Sequence, residues 1–131
     1  MENQITELFQ QKYGKPHEAS YFAPGRVNLI GEHIDYNGGL VMPCAITSGT
    51  WLCLAKNNDS VIRFSSTNFH DYTEIPFQNA YQKTGKEWYN YPLGVINELQ
   101  NEDWQCSGID LLYYGNIPIG SGLSSFASIE V

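Results

Sequence analysis

Positive charge is scarce in this sequence. Seven Lys and Arg stand against 14 Asp and Glu, a formal net charge of -7. Such a surface repels phosphate backbones and anionic lipid headgroups, which argues against nucleic acid and membrane as partners. An anionic ligand would need a local positive site built from backbone N–H groups, a metal ion or a few placed side chains. Cysteine is scarce too. Cys44, Cys53 and Cys106 are odd in number and match no zinc spacing, so buried free thiols in a reducing compartment are expected. No apolar run approaches the roughly 18 residues of a membrane span. The opening Met1-Glu-Asn-Gln lacks the basic-then-apolar order of a signal peptide. A soluble, cytoplasmic protein is the expectation. Repeats, linkers and low-complexity tracts are missing as well. At 131 residues, with 42% hydrophobic and 16% charged residues, the chain reads as one globular domain over 1–131.

Periodicity supplies the elements. Ile5, Leu8, Phe9 and Tyr13 share one helical face, closed by Gly14 and Pro16. Ala19–Ala23 is a short strand ended by Pro24-Gly25, and Arg26–Ile30 is a second strand running into a turn-rich stretch over Gly31–Gly39. Leu40–Ile46 and Thr50–Lys56 are strand-like, and Asn57-Asn58-Asp59 then predicts a hairpin into Val61–Ser65. The stretch 68–86 reads as loop with one short strand near Tyr72–Ile75. A helix is expected over Pro92–Gln100 with Val95, Ile96 and Leu99 facing inward. A strand at Ile109–Tyr114 and the opening of a helix at Leu123–Val131 follow. Strands and helices mix without a regular βαβ beat, which favours an α+β fold.

The densest polar cluster is Arg26-Val-Asn-Leu-Ile-Gly-Glu-His-Ile-Asp-Tyr-Asn-Gly-Gly39. Glu32, His33 and Asp35 stand within four positions on a glycine-flanked turn, so their side chains can converge on one small polar ligand. Carboxylates and a neutral imidazole accept hydrogen bonds from vicinal hydroxyls, as a sugar pocket requires. Arg26, at the start of the preceding strand, can stabilise phosphate charge at the same mouth. A metal site and a solvated loop remain open on spacing alone, although the metal reading has nearly consecutive ligands and no fourth partner nearby. A second cluster, Pro118-Ile-Gly-Ser-Gly-Leu-Ser-Ser-Phe-Ala-Ser128, follows a strand and opens a helix, where backbone N–H groups favour an anion. It lacks the Lys of a Walker A loop and the third glycine of the Rossmann fingerprint. An ordinary tight turn explains it equally well.

The segment from Gly25 to Gly39 resembles, almost letter for letter, the signature of galactokinases, with Ile34 standing where that family has Thr. The second cluster resembles the Pro-x-Gly-x-Gly-Leu-Ser-Ser-Ser-Ala phosphate loop of the wider GHMP kinase family. The resemblance implies a mixed sheet with helices packed on one side, the ribosomal protein S5 domain 2-like N-terminal domain of those kinases. It implies an ATP-dependent kinase acting on the C1 hydroxyl of galactose. Sugar would be bound by the segment Glu32, His33, Ile34 and Asp35, with Arg26 as transition-state stabiliser. ATP would be held by Ser66, Gly120, Ser121, Gly122, Leu123, Ser124 and Ser125. Phe126 occupies the place of the family's magnesium-holding serine, so Mg²⁺ binding is put in question, and Ser128 is geometrically poor as a substitute. The family's aspartate base, metal carboxylate, sugar-contacting tyrosine and second glycine motif have no matching segment, and Asp110 is no substitute base. A truncated domain, inactive alone and prone to self-association through uncovered surfaces, is therefore expected. The alternatives are a non-catalytic galactose and ATP binder, or a gene remnant.

Overall fold

The computed structural model describes residues 2–31, 33–69, 71–102, 107–118 and 125–130. Helix α1 (Glu2–Tyr13) buries Ile5 and Phe9 and leaves Leu8 at 41% exposure. Gly14 ends it in the left-handed conformation (φ 68°), its N–H donating back to the Gln10 carbonyl at 2.9 Å. Strand β1 (Ala19–Ile30) runs unbroken through Pro24, and β2 (Met42–Lys56) through Gly49. Each had been expected as two pieces. Pro24 is tolerated because β1 is an edge strand, and Pro43 because that part of β2 is paired only with β1. The register shifts between Pro24 and Arg26, so the extra residues on β2 form a bulge.

Strands β3 (Val61–Ser66), β4 (Asp71–Pro76) and β5 (Ile109–Gly115) complete one five-stranded sheet in the order β1-β2-β5-β3-β4. The expected β2–β3 hairpin does not form. Strand β5 lies between them, antiparallel to β2 and parallel to β3. The turn residue Asn57 is the reason. Its N–H donates to the Gly108 carbonyl, and its side-chain amide donates to the Val61 carbonyl (3.1 Å) and to Asp110 Oδ1 (2.7 Å), so it holds β5 where a hairpin partner would be.

The sheet is mixed and the class is α+β, as expected, but helices cover both faces rather than one. Strand alternation sends Cys53, Ala55 and Leu112 toward Ile5 and Phe9 of α1. It sends Ile62, Phe64, Leu111 and Tyr113 to the opposite face, under Leu93 and Ile96 of α2 (Asn90–Asn101). The short α3 (Ser125–Glu130) adds Ile129 on that side. Each such fully buried aliphatic or aromatic side chain contributes about 1.5–3 kcal/mol. Leu99, expected inside, is 43% exposed.

On the α1 face a charge is buried. Asp110, 1% exposed, accepts from Lys15 Nζ (2.7 Å), Asn57 Nδ2 (2.7 Å) and Arg63 Nη1 (3.1 Å). Arg63 also binds Glu74 and Asp59, and Lys15 donates to the Lys56 carbonyl. Burial pushes the Asp110 carboxyl up, but the bonds from Lys15, Asn57 and Arg63 outweigh it and hold the group below the usual carboxylate range. Its stabilisation is therefore present above about pH 4 and is lost as pH falls through the depressed folded value. Asp110→Asn should cost about 2–3 kcal/mol near neutral pH, discounted for the partly exposed Lys15 and Arg63. Urea unfolding of both proteins should show the gap closing in strong acid. A gap that persists there would contradict the ionic role.

Candidate functional site

The β1–β2 pair outlasts its neighbour. Strand β5 ends at Gly115, opposite Thr50, and Thr50 is opposite Ala23. Beyond that level β1 continues from Ala23 to Ile30, which at about 3.3 Å per residue is an overhang of roughly 23 Å. The signature turn sits at its tip, and Arg26 stands about 10 Å along it. Arg26 is exposed, pairs across the ribbon with Ala45, and donates from Nη1 to Asn28 Oδ1 at 3.4 Å on the same strand face.

The turn is closed by its own backbone. The Ile34 N–H donates to the Gly31 carbonyl (3.1 Å), and the Asn37 and Gly39 N–H groups donate to the Ile34 carbonyl (3.1 and 2.9 Å). A single 3₁₀ turn, Asp35–Asn37, ends at Gly38 with φ 76°. Gly31 has φ 92°, and a Cβ there would lie 2.5 Å from the Leu40 carbonyl oxygen, so no other residue fits without moving the chain. A Cβ at Gly39 would strike the Ile34 side chain at 2.8 Å. Ile34 is thus a packing residue of the turn as well as a member of the expected sugar segment. His33 is exposed, and its carbonyl accepts from Asn37 Nδ2 at 3.5 Å. Glu32 and the side chain of Asp35 lie outside the described residues. Around the tip Leu40 is 91% exposed, Tyr36 75% and Ile30 66%.

Of the residues expected on the nucleotide side, Ser66 falls at the same end of the sheet. Ser66, the last residue of β3, pairs with Tyr113 near the end of β5. It is 5% exposed, and its hydroxyl accepts the Asn68 N–H at 3.2 Å. Asn68 clamps Gly115 twice, its Nδ2 donating to the Gly115 carbonyl (2.7 Å) and its Oδ1 accepting the Gly115 N–H (2.8 Å). Gly120, Ser121, Gly122, Leu123 and Ser124 lie outside the described residues, as do the side chains of Ser125 and Phe126. Asn68 and Asn116 were not singled out from sequence. Their signal was that each is an Asn beside a strand end, a residue type that bonds local backbone.

Asp110 belongs elsewhere. It pairs with Ala55 at the far end of β5, roughly 16 Å from Gly115, on the α1 face. Its carboxylate is already occupied by three donors, which removes it as a base.

The comparisons define the class first. The Methanococcus jannaschii mevalonate kinase matches at 21% identity with TM-score 0.74, covering 90% of this chain and 38% of that one. The fold is that of the GHMP kinases. A Lactococcus lactis galactokinase complexed with galactose matches at 40% identity and TM-score 0.88, covering 98% of this chain and 34% of that one. Residues 7–56 match the galactokinase galactose-binding signature. The Streptococcus thermophilus galactokinase is 46% identical over 98% of this chain and 34% of its own length, and that of Bacillus subtilis 44% over 100% and 35%. The chain is similar to these galactokinases along nearly all of its own length and spans about a third of theirs.

The turn geometry carries its own test. Gly31→Ala should cost about 2–3 kcal/mol in urea unfolding, since it adds both backbone strain and a clash with a carbonyl. Gly38→Ala, which meets nothing within 4 Å, should cost about half that or less. Equal costs would contradict the described turn.

Proposed function

We propose that this chain supplies the galactose-binding side, and part of the nucleotide side, of a kinase that transfers the γ-phosphate of ATP to the C1 hydroxyl of galactose. The reading takes residues 1–131 as belonging to the N-terminal domain of such an enzyme. The observation that carries it is the overhang: the ribbon bearing the signature projects from the same end of the sheet at which β5 delivers the glycine–serine loop. A hexose at Glu32, His33, Ile34 and Asp35 and a triphosphate tail at 120–125 would then meet across one mouth. Arg26 lies on the ribbon between them and would balance charge on the transferring group. Phosphoryl transfer is mostly positioning and charge stabilisation, which suits a site assembled from a rigid ribbon and a backbone loop.

The position of the family's magnesium-holding serine is Phe126, whose side chain lies outside the described residues. Ser128, which would have to substitute for the missing serine, is 4% exposed and its hydroxyl is bonded to that of Thr50 at 2.7 Å. No group of three or more His, Cys, Asp or Glu among the described residues could hold a metal ion. No helix among the described residues is long and apolar enough to cross a membrane. Cys53 is a buried free thiol as expected, whereas Cys44 is free but exposed; free thiols suit the reducing cytoplasm, where ATP is abundant. Phe126 favours a second reading for this chain by itself, ligand binding without turnover.

Calorimetric titration with galactose should give saturable binding, weakened at least tenfold by Glu32→Gln or Asp35→Asn, since a charged hydrogen bond is worth about 1.5–3 kcal/mol. Unchanged affinity in both variants would overturn the assignment of the sugar side. A turnover assay with ATP separates the two readings.

A further inference from the structure

The two flanks of the glycine–serine loop are fastened to consecutive residues of β2. On the incoming side, the Asn116 N–H donates to the Gly49 carbonyl (3.1 Å) and Asn116 Oδ1 accepts the Gly49 N–H (2.8 Å). On the outgoing side, the Ser128 hydroxyl in α3 is hydrogen-bonded to the Thr50 hydroxyl at 2.7 Å. Thr50 is 7% exposed and Ser128 4%, so this bond is shielded from water. A buried hydroxyl pair fixes geometry strongly because either group would be costly to leave without its partner. Gly49 leaves no room for a side chain. A Cβ there would lie 2.2 Å from the Ala23 carbonyl oxygen and 2.7 Å from the Phe22 ring. These same residues of β2 pair with Pro24 and Ala23 of β1, just before Arg26.

We infer that Thr50 and Ser128 are positioning residues for nucleotide binding. Together with the Gly49–Asn116 clamp, they fasten to β2 the two described flanks, Asn116 and Ser128, of the segment that the nucleotide reading invokes. They also tie that loop to the ribbon that carries the sugar turn. Neither side chain touches the nucleotide. Their effect passes through the helix that follows the loop, so a fault at Thr50 should be felt by ATP and not by galactose. This inference rests on the nucleotide reading given above.

The test uses the 131-residue chain and titrates ATP and galactose separately, with the thermal unfolding midpoint measured for each variant. Thr50→Val should weaken ATP binding roughly tenfold, because a loop no longer held in its bound form must be ordered on binding. Thr50→Ser should restore it. In the double variant Thr50→Val, Ser128→Ala both hydroxyls are gone, so ATP affinity should stay weak even where stability recovers. Galactose affinity should stay within twofold of the parent in all three. ATP affinity that recovers with the unfolding midpoint in the double variant would overturn the inference and leave a purely structural bond. An unmodified chain that binds galactose but no ATP would instead overturn the nucleotide reading, and this inference with it.

Discussion

The site depends on a difference in strand length. β1 and β2 remain paired from Ala19 and Leu54 to Ile30 and Met42, while β5 stops opposite Thr50. The central strand thus ends in mid-sheet, and two things leave from that level. The paired ribbon goes on alone, and the chain after Gly115 turns into the glycine–serine segment. Had β5 run the full length of β2, the ribbon would be sheet interior and its turn would have no mouth to face.

Stopping β5 there requires that it be held firmly along the rest of its length. Its backbone is bonded on both sides, Leu111 and Leu112 bury against opposite helices, and the Asp110 network locks its beginning to Asn57, Lys15 and Arg63. Asn68 seals its end through paired bonds to Gly115. The buried carboxylate is therefore a structural charge, satisfied by three donors, near the end of β5 that lies farthest from the ribbon. Rigidity at the base lets the exposed tip keep its shape with few contacts of its own.

Much of this was legible from the residues. The Ile5/Phe9 face, the Gly14 stop, the strand over Tyr72–Ile75 and the β-forming run at 109–114 all stand, because local propensity and burial agree there. Sequence failed where a distant partner decided the outcome. Pro24-Gly25 looked like a strand end, but an edge strand does not need the missing N–H. Asn57-Asn58-Asp59 looked like a hairpin turn, but Asn57 spends its amide on Asp110, more than fifty residues on. Nothing local marks that bond. At the site, the glycines of the turn announced its tightness, whereas the pairing of Thr50 with Ser128 joins two ordinary hydroxyls that no spacing rule connects.

The most direct test concerns the shared mouth. A galactoside carrying a nitroxide at C1 would be bound to the chain together with ATP, and phosphorus relaxation of the nucleotide recorded. The account predicts that the γ-phosphorus is relaxed most strongly of the three, because it proposes one mouth shared by the two ligands. Phosphorus signals left unrelaxed while both ligands are bound would place them apart and contradict it.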